Sequence, residues 1–138
     1  METSGIRAQT APVARTGGCL CGKVRYRVTR DQRASYCRCD TCRRSAGGAF
    51  AVLVWTTGVN LSWSTEEPAF RRSSPIAPRG FCPACASPLA LARHELAHVG
   101  TFDNPAELEL RYNYGPLQRP GWVCCGIDLP NRNAEERW

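Results

Sequence analysis

Gly80-Phe81-Cys82-Pro83-Ala84-Cys85-Ala86-Ser87-Pro88-Leu89 is the stretch from which the rest of the chain is read. A C-x-x-C turn whose backbone amides point back at the first sulfur is a zinc knuckle. It supplies two thiolates, and a closed tetrahedral zinc site needs four. The other two must come from elsewhere. Cys19-x-Cys21 lies about 60 residues earlier, and Cys37-x-Cys39-x-x-Cys42 lies between the two pairs. These three clusters hold seven of the nine cysteines. The economical partition is one closed site, Cys19, Cys21, Cys82 and Cys85, and one open site, Cys37, Cys39 and Cys42. Three local ligands leave a fourth position for water or a substrate thiolate. Two other partitions stay open. All seven cysteines are structural if His94, His98, Cys124 or Cys125 completes the second site, or Cys39 and Cys42 form a redox dithiol. A zinc ribbon, with C-x2-C repeated at about 15–20 residues, does not fit the spacing.

A chain of 138 residues is about one domain. With 43% hydrophobic and 22% charged residues it has the composition of a globular protein. No run approaches the roughly 18 apolar residues of a membrane span, so no membrane partner is expected. Residues 1–17 lack the apolar centre of a secretory signal and read as a disordered tail. Residues 18–130 read as a single zinc-binding domain and residues 131–138 as a loose end. A cytoplasmic location is expected, where thiols stay reduced and serve as metal ligands or catalytic groups. The net charge is +6, and Lys23 is the only lysine. Counting the thiolates and two zinc ions brings it to about +3. The basic balance therefore argues little for nucleic acid, which is not expected as a partner.

Residues 19–28 alternate, with Val24, Tyr26 and Val28 on one side and Lys23, Arg25 and Arg27 on the other, which predicts a half-buried strand. A short strand over 35–39 leads into the cysteine loop. One helical turn over 42–48 is stopped by Gly47-Gly48. Residues 49–55 predict a buried strand, which forms a hairpin with Val59, Leu61 and Trp63 across Thr57-Gly58. Residues 88–93 and 96–102 predict a strand pair around His94-Glu95. Asn104 precedes Pro105 at the start of a short helical turn, and 108–114 alternates again. The fold class is mainly β, in many short strands.

The ordered clusters Gly17-Gly18-Cys19-Leu20-Cys21-Gly22, Cys37-x-Cys39-x-x-Cys42-Arg43 and Gly80-Phe81-Cys82-x-x-Cys85-x-Ser87-Pro88-Leu89 resemble the glutathione-dependent formaldehyde-activating enzyme family, which also includes centromere protein V. The resemblance spans about residues 17–104. It implies a β-tent of small antiparallel sheets held together by a four-cysteine zinc site. It implies two Zn²⁺ per chain, with a structural ion on Cys19, Cys21, Cys82 and Cys85 and a labile catalytic ion on Cys37, Cys39 and Cys42. The implied activity is that of a carbon–sulfur lyase, joining glutathione or a similar small thiol to formaldehyde or a similar small aldehyde. The chain departs from many relatives in having Arg38 for histidine and Ala86 for a glycine that suits a left-handed backbone.

Arg43 and Arg44 follow the metal loop and Arg38 lies inside it. Each is a candidate to pair with a substrate carboxylate, of which glutathione has two. His94 and His98 read as strand or surface histidines, and Cys124 and Cys125 as buried or bystander thiols. Trp55 and Trp63 read as core. The alternative to an enzyme is a non-catalytic zinc-binding module whose arginines contact an acidic partner. Against it stand the lack of clustered lysine and of an aromatic stacking motif.

Overall fold

A strand sends alternate side chains to opposite faces. Val24, Tyr26 and Val28 are buried while Arg27 is exposed. The computed structural model describes residues 14–29, 33–56, 61–75, 78–91, 96–98 and 101–132. In it, β2 (Arg25–Val28) runs antiparallel between β1 (Arg15–Gly18) and β5 (Leu61–Trp63) in a three-stranded sheet. Tyr26 organises this sheet. Its ring meets Trp63 edge-on at 5.8 Å and Phe102 at 5.3 Å, and its hydroxyl shares a hydrogen bond with Thr101 Oγ1 at 2.7 Å. Gly17 makes room for that hydroxyl, because a Cβ there would lie 2.4 Å from Tyr26 Oη.

The second sheet has eight strands: β3 (Arg33–Cys37), β4 (Ala51–Trp55), β6 (Ala69–Arg72), β7 (Pro78–Phe81), β8 (Pro88–Leu91), β9 (Leu96–His98), β10 (Leu110–Tyr114) and β11 (Asn131–Arg132). Their spatial order is β11-β10-β3-β4-β9-β8-β7-β6. The apolar run of β4 is covered on both faces. Ala51 and Leu53 pack with Cys42 and Leu91, while Val52 and Val54 join the cluster of Tyr26, Leu89 and Phe102. The only α-helix among the described residues, α1 (Asp40–Ala46), follows β3. Gly47 ends it in the left-handed conformation, at φ 74°, and its N–H caps the Arg43 carbonyl.

The mainly β class, the buried β4 strand and the β8–β9 pair follow the sequence reading. Several expectations do not hold. The strand expected over 19–28 begins only at Arg25, because residues 20–24 turn to present the cysteines. The hairpin expected between β4 and β5 does not form. Instead β5 crosses to pair with β2, where Trp63 lies opposite Tyr26. The sheets are not wholly antiparallel, since β10 runs parallel to both β3 and β11. Strand β1 takes in Arg15 to Gly17, expected as tail, and β11 takes in Asn131 and Arg132, expected as loose end. Strand β6 was not anticipated. His94 lies outside the described residues, and His98 stands in β9 in register with Leu53 of β4.

Asp103 ties the segment that begins at Thr101 to the three-stranded sheet. It accepts from Thr16 Oγ1 at 2.6 Å and from both terminal nitrogens of Arg25, while its own N–H donates to the Thr16 carbonyl at 2.9 Å. The Arg25 guanidinium, with Thr16, holds the Asp103 carboxyl below its ordinary pKa. A depressed folded-state pKa gives stability above the unfolded value, which is lost as pH falls through the folded one. Asp103→Asn should therefore lower the unfolding free energy by about 0.5–1 kcal/mol at neutral pH, the range of a well-formed exposed pair. Urea melts of the two proteins should converge below about pH 4.

Candidate metal centres

The knuckle residues follow β7. The Ala84 amide donates to Cys82 Sγ at 3.4 Å, and Ala86 N–H donates to the Cys82 carbonyl at 2.8 Å. Closing this turn puts Ala86 at φ 65°, the only non-glycine residue with positive φ among those described. Cys19 and Cys21 follow β1, and the Val24 amide donates to Cys19 Sγ at 3.3 Å. The four sulfurs of Cys19, Cys21, Cys82 and Cys85 all lie within 4.8 Å of one another. Ser87 locks the two turns together: its hydroxyl accepts from the Leu20 amide at 3.0 Å and lies 3.1 Å from Cys85 Sγ. Hydrogen bonding from Ser87, side chain first and then backbone, brings the Cys85 thiol down to about 5.

The second group forms where β3 meets α1. Cys37 ends the strand, Cys39 caps the helix by accepting from the Cys42 amide at 3.3 Å, and Cys42 is buried in the helix. Their three sulfurs also lie within 4.8 Å of one another. The Cys37 and Cys42 thiols, helped by the Cys42 amide and the charge of Arg79, hold Cys39 far below the ordinary thiol range. Cys37 moves the opposite way because it hydrogen-bonds to Cys39 and Cys42 and is buried.

Both groups fit zinc by the chemistry of their donors. Four sulfurs on a tetrahedron of 2.3 Å bonds stand about 3.8 Å apart. The observed separations are 3.6 Å for Cys19–Cys21, 3.7 Å for Cys21–Cys82 and 3.5 Å for Cys37–Cys39. Backbone amides aimed at sulfur favour thiolate over thiol.

A cleft of about 470 Å³ opens beside α1, within the size range of small-molecule sites. Asp40, Thr41 and Arg44 form one wall, and Arg71, Arg72 and Arg79 of the β6–β7 hairpin form another. Arg79 reaches the metal loop itself, with Nη2 donating to Cys42 Sγ at 3.4 Å. The β6 and β7 arginines were missed by the sequence reading. Only the strand pairing, which sets Arg71 opposite Arg79, brings them to the loop.

The three arginines expected to meet substrate carboxylates separate. Arg44 lines the cleft, with Nε 3.1 Å from Asp40. Arg43 is turned to Asp40 as well and is not among the cleft residues. Arg38 is a correction: it is 1% exposed and lies away from the cleft. The middle residue of an extended C-x-C must face opposite to the two sulfurs. Arg38 thus points into the late part of the chain, where Nε donates to Asn113 Oδ1 at 3.0 Å and Nη2 to the Cys125 carbonyl at 2.5 Å. Its guanidinium lies 4.7 Å from the centre of the Tyr36 ring. Cys124 and Cys125 are exposed thiols rather than buried ones, and neither belongs to a metal group. Trp122 is also exposed, whereas Trp55 and Trp63 pack against the core clusters.

Two outcomes follow from these positions. Arg38→Met leaves Asn113 Oδ1 and the Cys125 carbonyl without their donor, and should lower the unfolding free energy by about 2–3 kcal/mol in urea melts. Its metal content should stay unchanged. Ala86→Gly relieves the left-handed alanine and should raise the unfolding free energy by about 0.5–1 kcal/mol.

No curated protein matches the chain significantly. The model of one family, described as glutathione-dependent formaldehyde-activating enzyme, matches residues 14–114. That span holds all seven clustered cysteines and the arginine cleft, and covers roughly three-quarters of the sequence. The chain belongs to the glutathione-dependent formaldehyde-activating enzyme family.

Proposed function

We propose that this chain is a zinc-dependent carbon–sulfur lyase that forms or breaks a thiol–aldehyde adduct, such as S-hydroxymethylglutathione from glutathione and formaldehyde. The observation that carries this reading is the three-thiol loop at the edge of a cationic cleft. Cys19, Cys21, Cys82 and Cys85 hold a structural zinc, and Cys37, Cys39 and Cys42 hold a second, labile one. When bound at the three-cysteine loop, zinc supplies an open coordination position that keeps a substrate thiol deprotonated near neutral pH.

The protein's own residues do the rest. Arg44, Arg71 and Arg72 bind the two carboxylates of a glutathione-like peptide, since guanidinium groups recognise carboxylates in a bidentate way. Held there, the peptide directs its sulfur at the loop, and the positioning replaces a bimolecular encounter. Asp40 sets the reach of Arg44 through their ion pair. Thiols that must stay reduced to hold metal suit a reducing compartment such as the cytoplasm. No helix of the described residues is long and apolar enough to cross a membrane.

Metal analysis should find two zinc ions per chain, one of them removed by a mild chelator. Exchange of formaldehyde with glutathione, followed by proton NMR, should be accelerated by the protein. Cys42→Ser should lose that acceleration and one zinc while keeping its circular dichroism. Cys82→Ser should lose its fold, because structural zinc contributes on the order of 10 kcal/mol. Failure of wild-type protein to accelerate exchange would refute the lyase reading and favour a non-catalytic module.

A further inference from the structure

Arg79 is held in an unusual state. Its Nε donates to Ser73 Oγ at 2.8 Å and its Nη2 to Cys42 Sγ at 3.4 Å. Its Nη1 is buried and has no hydrogen-bond partner. Arg71 stands directly opposite on β6. Like charges facing each other across a ladder are destabilising, and an unmade bond at a buried guanidinium costs free energy. Both penalties meet at one residue that lines the cleft and touches the thiol loop. Arg38 also has a buried Nη1 without a hydrogen-bond partner, but its guanidinium lies over aromatic rings and away from the cleft.

The fixed fork tells what Nη1 can receive. Two of the three guanidinium nitrogens are tied, so the direction of the third is set. Nη1 shares one carbon with the nitrogen on Cys42 Sγ, so an atom that reaches it lies close to the sulfur cluster. The carboxylates of a peptide thiol are many bonds from its sulfur and belong to the outer arginines. The oxygen carried by the carbon bonded to sulfur lies within reach. Resting on the lyase reading above, we propose that Arg79 is a catalytic residue whose Nη1 receives the aldehyde oxygen as it takes on negative charge.

The step balances without any further reagent than water. The substrate thiolate adds to the carbonyl carbon, a C–S bond forms, and the C=O π pair moves onto oxygen. Arg79 donates a charge-assisted hydrogen bond to that oxygen without giving up its proton. Water protonates the alkoxide, giving the hydroxymethyl thioether and hydroxide. In the reverse direction the same contact stabilises the alkoxide before the C–S bond breaks.

The test uses the full-length protein as purified and two variants, Arg79→Lys and Arg79→Gln. Lysine keeps the charge but not the fork. Glutathione–formaldehyde exchange, followed by NMR, should slow about 100-fold in both variants, with KM for glutathione changed less than about threefold. A second readout needs no turnover. Alkylation of Cys39 and Cys42 is mapped by mass spectrometry with iodoacetate and with iodoacetamide. The rate ratio of the carboxylate reagent to the neutral one should fall at least about threefold in Arg79→Lys. Should wild-type protein show no exchange while this ratio still falls, the lyase reading fails and the catalytic role of Arg79 falls with it, leaving an anion-receiving nitrogen without a reaction. Should Arg79→Lys exchange at the wild-type rate, the proposal for Arg79 is overturned and the lyase reading stands. An alkylation ratio unchanged in both variants overturns the proposal even if the wild type is inactive.

Discussion

Four sulfurs must come together from two different sheets, and much of the architecture serves that meeting. Cys19 and Cys21 leave the three-stranded sheet, and Cys82 and Cys85 leave the eight-stranded one. The strands are only two to five residues long, and each ordered residue costs about 1–2 kcal/mol of backbone entropy. The shared apolar cluster of Val24, Tyr26, Leu89 and Phe102 brings the sheets into contact. The Gly17–Phe102 bridge and the Asp103 clasp hold the 101–103 segment on the three-stranded sheet. A metal ion on these thiols makes its bonds only when both sheets are in place, so its binding energy is folding energy.

The two thiol groups sit in different mechanical settings. One is held by turns between sheets, with amides on the Cys19 and Cys82 sulfurs and Ser87 beside that of Cys85. The other occupies a strand-to-helix junction beside a cleft, with a guanidinium for a neighbour. That contrast suits a closed structural site and an open working one. The cationic wall is assembled from α1, β6 and β7 rather than from one arginine-rich run.

The three cysteine clusters were legible in the sequence because ligand spacing is a local property that survives folding, and the count of four ligands for a closed site was enough to join Cys19 and Cys21 to Cys82 and Cys85. Strand positions were legible where burial is one-sided, as at Val24, Tyr26 and Val28. Pairing was less so. Thr57-Gly58 signals a turn, but the partner of Trp63 is Tyr26, which no local pattern reveals. The parallel β3–β10 pair joins segments far apart in the chain. Arg38 was misread because chain proximity to cysteine was taken for spatial proximity, although alternation in C-x-C sends it to the opposite face. Arg79 was missed for the converse reason, since it is distant in sequence and is delivered by a hairpin. Family resemblance, carried by the cysteine order, was readable throughout.

The β3–β10 pairing also sets an order of events during synthesis. The loop of Cys37, Cys39 and Cys42 leaves the ribosome early, but Arg38 N–H binds the Tyr114 carbonyl and Asp40 N–H binds Gln118. Its supports therefore emerge last. Cys19 and Cys21 likewise wait for Cys82 and Cys85. Chains rich in such distant contacts close slowly, and the nascent protein carries the five thiols of Cys19, Cys21, Cys37, Cys39 and Cys42 before Cys82 and Cys85 are made. Its maturation is thus exposed to oxidation, and to capture by softer metals, at a stage when the finished fold offers no protection.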